Sequence, residues 1–201
     1  MARFPEDTDT LESLPVTTIE SNTCFYRVNG MQYNSAIYFS ASPQNRWTPL
    51  GGSPGVCYMA GSPVGALAES VCRNVARLDE SEMFSSLAEL KKLGMFELVL
   101  RNPVTVLDLT VAHLGRYRLD ATILGDYDES LSPPYKFSPA WASHAVDLKL
   151  AGILYRSRHK IDETCLGLFD VGTDIFEGVH GTLDDDQYLE ILEDEFMWGV
   201  I

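Results

Sequence analysis

The chain has 201 residues, 45% of them hydrophobic, with 29 acidic against 15 basic side chains and a formal net charge of −14. That length and apolar share fit one packed domain, and no run of about eighteen apolar residues offers a membrane span. The acidity argues against a basic face for nucleic acid.

The charge is uneven. Residues 160–201 carry 12 acidic side chains and one basic, whereas the other 159 residues carry 17 and 14. The acidity therefore belongs mainly to a C-terminal segment, and an anionic small molecule remains a compatible ligand wherever arginines converge. The four cysteines (Cys24, Cys57, Cys72 and Cys165) form no CxxC pair, and the first fifteen residues lack the apolar core of a secretion signal. Buried thiols in a reducing cytoplasm are expected, with neither a disulfide framework nor a zinc site. The four histidines show no metal spacing either.

In chain order, residues 1–20 are polar, hold Pro5 and Pro15, and are read as a loose N-terminal arm. Thr23 to Val28 reads as a strand, Asn29-Gly30 as a turn, and Ala36 to Ser40 as a second short strand. A long Pro- and Gly-rich loop follows, of the kind that often carries function. Val56 to Ala60 is an apolar strand. Ser62-Pro63 then opens a helix over about 63–77, Ser62 as cap and Pro63 at a position whose missing N–H costs nothing. Asp79 to Leu93 carries a helical stripe closed by Gly94. Phe96 to Leu100 and Val104 to Leu109 read as strands, and Ser138-Pro139 starts a second proline-led helix over Ala140 to Ala151. Ile153 to Tyr155 and Leu166 to Val171 complete the strands, and Thr182 to Phe196 reads as an acidic helix with aspartates at its positive end. Strands outnumber helices without alternating regularly, which favours an α+β fold in a single domain.

Several residues could carry chemistry. Glu69 lies about 120° from the centre of the apolar stripe of its helix, where a solvated pair with Arg73 at i+4 is the plain alternative. Arg27 and Arg46 present planar forks suited to phosphate, or are surface arginines. Tyr58, inside an apolar strand, is a core tyrosine or an aromatic face for a flat ring. Ser157 directly follows a strand, where an exposed hydroxyl reaches a ligand or merely ends the strand. The sequence holds no Walker loop, GxGxxG or HExxH motif, so the corresponding P-loop, dinucleotide-fold and zincin readings have no support.

Taken in order, Tyr26-Arg27, Arg46-Trp47, Val56-Cys57-Tyr58 leading to Ala66-Leu67-Ala68-Glu69, and Leu154-Tyr155-Arg156-Ser157 resemble the RES-domain family, the toxin half of bacterial RES–Xre toxin–antitoxin systems. The resemblance covers roughly residues 23–170. It implies mixed sheets with flanking helices like those of ADP-ribosyltransferase toxins, in a domain over 21–172, leaving 173–201 as an acidic, helical extension. It also implies NAD⁺ as substrate rather than cofactor, with Arg27 and Glu69 catalytic and Tyr26, Arg46, Tyr58 and Ser157 binding substrate. Water or inorganic phosphate can serve as nucleophile, and both stay open. The implied partner is an Xre-type antitoxin, with a homodimer also compatible. Transfer of ADP-ribose to a protein and non-catalytic nucleotide or partner binding are the alternative functions.

Overall fold

The computed structural model describes residues 3–73, 83–112 and 114–201. Its elements run β1 (Val16–Ile19), β2 (Cys24–Gly30), β3 (Val56–Ala60), α1 (Pro63–Ala68), β4 (Phe84–Ser85), α2 (Leu87–Leu90), β5 (Leu93–Leu100) and β6 (Val104–Asp108). Two 3-10 turns, Leu114–Tyr117 and Ala121–Ile123, lead to α3 (Ser138–Asp147), β7 (Gly152–Arg156), β8 (Thr164–Phe169), β9 (Ile175–Thr182), α4 (Asp186–Phe196) and β10 (Gly199–Val200). The class is α+β, as expected: one mixed sheet with flanking helices.

The sheet has eight strands in the order β1-β6-β7-β8-β3-β2-β5-β9, while β4 and β10 form a separate parallel pair. All its pairings are antiparallel except β6 with β7. The central strands β3 (VCYMA) and β8 (TCLGLF) are apolar almost throughout because both their faces are covered. One face packs Val56, Ala60, Leu67, Trp141 and Tyr188 into the larger core; the other packs Phe25, Cys57, Met59, Leu98 and Leu166, with Ile37 and Phe39 laid across it. Each fully buried Val, Leu, Phe or Met side chain there stabilises by roughly 1.5–3 kcal/mol.

One join in this sheet is thin. Among the described residues β2 and β3 meet through a single pair, Tyr26 with Ala60. Beyond it β2 runs on with β5 through Gly30, and β3 runs on with β8 back to Val56. The strands therefore diverge, and a cleft opens between Arg27-Val28 and Tyr58-Met59.

Several elements differ from the sequence reading. Part of the supposed arm is β1, a β-branched run (VTTI) that pairs with β6 at the sheet edge. Arg3 is docked as well, through a bidentate pair with Asp9 (2.6 and 2.7 Å). The segment assigned to an acidic extension begins with β9, which pairs with β5 over seven residues of that strand and so belongs to the sheet. Its helix is shorter than expected, Asp186–Phe196, burying Tyr188, Leu192 and Phe196 at a spacing of four. Asn29-Gly30 is no turn but the end of β2, opposite Gly94 and Leu93. Ala36 to Ser40 is not a strand and makes only an isolated bridge, Ser40 to Val56, at the end of β3 that β2 leaves open. Among the described residues, the helix expected over Asp79 to Leu93 is only Leu87–Leu90: Phe84-Ser85 pairs with β10, and Leu93-Gly94 opens β5. Pairing with distant strands outweighs a local helical stripe there. The helix after Ser62 is Pro63–Ala68, and residues 74–82 of both expected helices lie outside the described residues. In α3 the helix ends at Asp147, and Lys149 with φ 61° turns the chain back towards β7.

Candidate active site

The cleft is built where α1 covers the divergence of β2 and β3. Ser62 caps α1 by accepting from Gly65 N (3.0 Å) and donating to Glu163 Oε2 (2.6 Å), with Pro63 in the first turn. Such a cap contributes about 1 kcal/mol. Gly65 permits the close approach: a Cβ there would lie 2.9 Å from Glu163 Oε2 and 3.1 Å from Ala60 Cβ. The helix ends at Ala68, so Glu69 is its C-terminal cap residue, not a mid-helix position facing Arg73 at i+4.

That ending turns the half-buried Glu69 carboxylate towards the sheet. Its Oε1 accepts a 2.6 Å hydrogen bond from Ser157 Oγ. Ser157 is not the exposed hydroxyl expected at a strand end: it is fully buried, and its oxygen accepts from His159 N (3.1 Å) and Lys160 N (3.2 Å). With two backbone donors on that oxygen, its one proton is directed at Glu69. Ser157 therefore touches the carboxylate, not open solvent.

Two cavities of about 140 Å³ each meet at Glu69. The first is lined by Tyr26, Arg27, Tyr58, Glu69 and Tyr155; the second shares Tyr58, Glu69 and Tyr155 and adds Arg46, Arg73 and Arg158. All six residues named from the sequence thus converge: five line the cavities and Ser157 holds Glu69 from behind.

Each has a definite setting. Arg27 reaches across the divergence, Nη1 donating to Tyr58 O (3.2 Å) and lying 3.0 Å from Cys57 Sγ. Tyr26 faces His180 edge-on, ring centres 6.0 Å apart. Tyr58 Oη accepts from Trp47 N (2.8 Å) and so ties β3 to the long loop. Arg46 is 7% exposed, its guanidinium over the Trp47 ring at 4.5 Å and over Tyr155 at 5.4 Å, with Nη2 donating to Ile123 O. Burial pulls the Arg46 pKa below its ordinary value, opposed by the nearby phenols and Glu69. Its Nε is buried without a protein partner, a donor in reserve for a ligand.

Burial also raises the phenols of Tyr58 and Tyr155, the latter further through the Glu69 charge. Both stay protonated at neutral pH and act as donors and aromatic walls, not bases. Tyr155 was missed as a site residue. It is two positions before Ser157 across the end of β7, so the twofold alternation of a strand places both on one side, and that was the available signal.

The RES-domain family model matches residues 25–188. Among solved structures, a chain of the M. tuberculosis MbcT–MbcA toxin–antitoxin complex superposes with a TM-score of 0.54 at 17% sequence identity, covering 87% of this chain and 91% of that one. No curated protein sequence matches.

Proposed function

The chain belongs to the RES-domain family, and from that premise we propose that it is a toxin enzyme that cleaves the nicotinamide–ribose bond of NAD⁺. The observation that carries this reading is the Glu69 carboxylate, oriented by buried Ser157 at the meeting of two cavities and flanked by Arg27 and Arg46. As the bond breaks, its electron pair goes to the nicotinamide nitrogen, which becomes neutral, and positive charge grows on the sugar. A fixed carboxylate is then bound more strongly in the transition state than in the ground state. The leaving group is already cationic, so no general acid is needed. Water or inorganic phosphate adds its oxygen to C1 of the ribose, and any proton released passes to solvent.

Arg27 and Arg46 suit the diphosphate, or the attacking phosphate, through planar donor forks. Tyr26, Tyr58 and Tyr155 supply flat walls for the nicotinamide end. The structural relative comes from a toxin–antitoxin complex, so the natural control of such an activity is an antitoxin, of Xre type by family resemblance, that covers the cleft in the cytoplasm.

Phosphorus NMR of the purified chain with NAD⁺, with and without inorganic phosphate, tests the reading. Loss of NAD⁺ only with phosphate, giving a new sugar-phosphate signal, marks phosphorolysis; loss in both to ADP-ribose marks hydrolysis. Glu69→Gln, with an unchanged circular dichroism spectrum, is expected to slow NAD⁺ loss by about 10²–10³-fold, as when one electrostatic partner of a transition state is removed. No NAD⁺ loss by the wild-type chain under either condition would overturn the proposal.

A further inference from the structure

A third cavity, of about 530 Å³, lies beside Arg27 and is lined by Arg27, Asn29, Tyr33, Ser35, Ile37 and Tyr38. It falls within the ~300–1,000 Å³ of small-molecule sites, whereas each cavity at Glu69 is only about 140 Å³ and admits part of a dinucleotide. Arg27 lines both this cavity and the first cavity at Glu69. A dinucleotide whose diphosphate meets Arg27 and whose ribose meets Glu69 must lodge its other half nearby. The second cavity at Glu69 is lined by Arg46, Arg73 and Arg158, which suit an anion. The cavity beyond Arg27 has the chemistry of a ring site instead.

Two aromatic side chains stand open at it, Tyr33 at 59% and Tyr38 at 63% exposure, with Ile37 as an apolar wall. Large aromatic groups left in water beside a cavity offer faces on which a base can stack without regard to its sequence identity. Asn29 donates from Nδ2 to Ser35 O (3.1 Å), and the oxygen of an amide oriented in this way is the acceptor that suits an exocyclic amine.

The wall is held from a distance. Glu177, on β9, accepts from Ser35 Oγ (2.5 Å) and Ala36 N (2.8 Å), with a longer contact from Ile37 N (3.4 Å). One carboxylate thus fixes the backbone that carries Ile37 and Tyr38, across more than 130 residues of chain. We propose that this cavity binds the purine-nucleoside half of the substrate, with Tyr33 and Tyr38 as its stacking faces and Glu177 as the positioning residue of the 35–38 segment. The inference rests on the reading of a dinucleotide substrate and deepens it.

The test compares NAD⁺ with nicotinamide mononucleotide, which lacks the adenylate half, and separately titrates adenosine monophosphate by calorimetry. The wild-type chain, the Tyr33→Ala/Tyr38→Ala double variant and Glu177→Gln are used, each checked by its melting temperature. The double variant is expected to raise KM for NAD⁺ about 10-fold, equivalent to about 1.4 kcal/mol, to leave turnover of the mononucleotide unchanged, and to weaken adenosine monophosphate by a similar factor. Glu177→Gln is expected to shift KM the same way with kcat retained. Equal KM values for NAD⁺ in all three proteins would overturn the inference while the cleavage reading stands. If the wild-type chain consumes no NAD⁺, the cleavage reading fails, and the cavity is then judged by adenosine monophosphate alone: binding lost in the double variant supports it, and absent or unchanged binding overturns it.

Discussion

Ser157→Ala removes one oxygen atom and disturbs three contacts. The hydroxyl donates to Glu69 Oε1 at 2.6 Å and accepts from His159 N and Lys160 N at 3.1 and 3.2 Å, at a fully buried position. A hydrogen bond to a charged group contributes about 1.5–3 kcal/mol, and a buried N–H left without an acceptor costs about 1–3 kcal/mol. Partial rehydration through the adjoining cavity offsets some of this, so a net loss of about 3 kcal/mol is expected. For a domain of this size each kcal/mol lowers Tm by about 2–4 °C, which gives a fall of about 6–12 °C by scanning calorimetry. The catalytic effect is separate. A carboxylate free to move by about 1 Å forfeits about 10²-fold in rate, so kcat for NAD⁺ cleavage is expected to fall by about that factor below the melting transition. A variant that melts within 2 °C of the wild type and keeps its kcat would refute the idea that this hydroxyl orients Glu69.

Three further outcomes are expected. Asp126 accepts from Lys136 N, Phe137 N, Ser138 N and Ser138 Oγ at 3.1, 2.8, 2.6 and 2.7 Å, so Asp126→Ala uncaps α3 and should lower stability by about 2–3 kcal/mol in urea denaturation, with Asp126→Asn losing less. Asp9 is held below its ordinary pKa of 3.8, chiefly by its hydrogen bond to Arg3. A depressed carboxylate stabilises fully above its unfolded value and ceases to as pH falls through its folded one, so Asp9→Asn should flatten the fall in Tm below about pH 4 and leave the neutral-pH slope unchanged. Arg46→Lys keeps the charge but loses the planar guanidinium that lies over both Trp47 and Tyr155; kcat/KM for NAD⁺ should drop at least about tenfold with the circular dichroism spectrum retained.

How far these features could be read from the sequence varied with how local their causes are. The bounds of β3 and the Ser62-Pro63 helix start follow from a short apolar run and from capping chemistry, both local, and the structure has them as read. The length of α1 does not. Its end at Ala68, which aims Glu69 at Ser157, depends on packing against β2 and β3, and the apolar stripe beyond it gave no warning. Ser157 was identified in the right place but given the wrong surroundings, because burial of a strand-end hydroxyl depends on the 159–160 turn folding back over it. The expected helix takes in Phe84 and stops at Gly94 because a stripe of apolar residues carries no trace of the β10 and β9 segments that claim these two residues from about 90 to 115 residues away. Glu177, in a segment expected to be an acidic, helical extension, shows the same limit: its partners at 35–37 adjoin it only once β9 is in place.

The single pair joining β2 to β3 makes the site a seam in the molecule. Past Tyr26 and Ala60 the ladder is unzipped, and the stitch that remains across the gap is a side chain, Arg27 Nη1 on Tyr58 O. An anion that recruits Arg27 competes for that stitch. Occupancy of the cleft is thereby coupled to its width, and the backbone amides of the seam should exchange their hydrogens faster than those of the continuous ladders on either side. Ligands that engage Arg27 would change that difference.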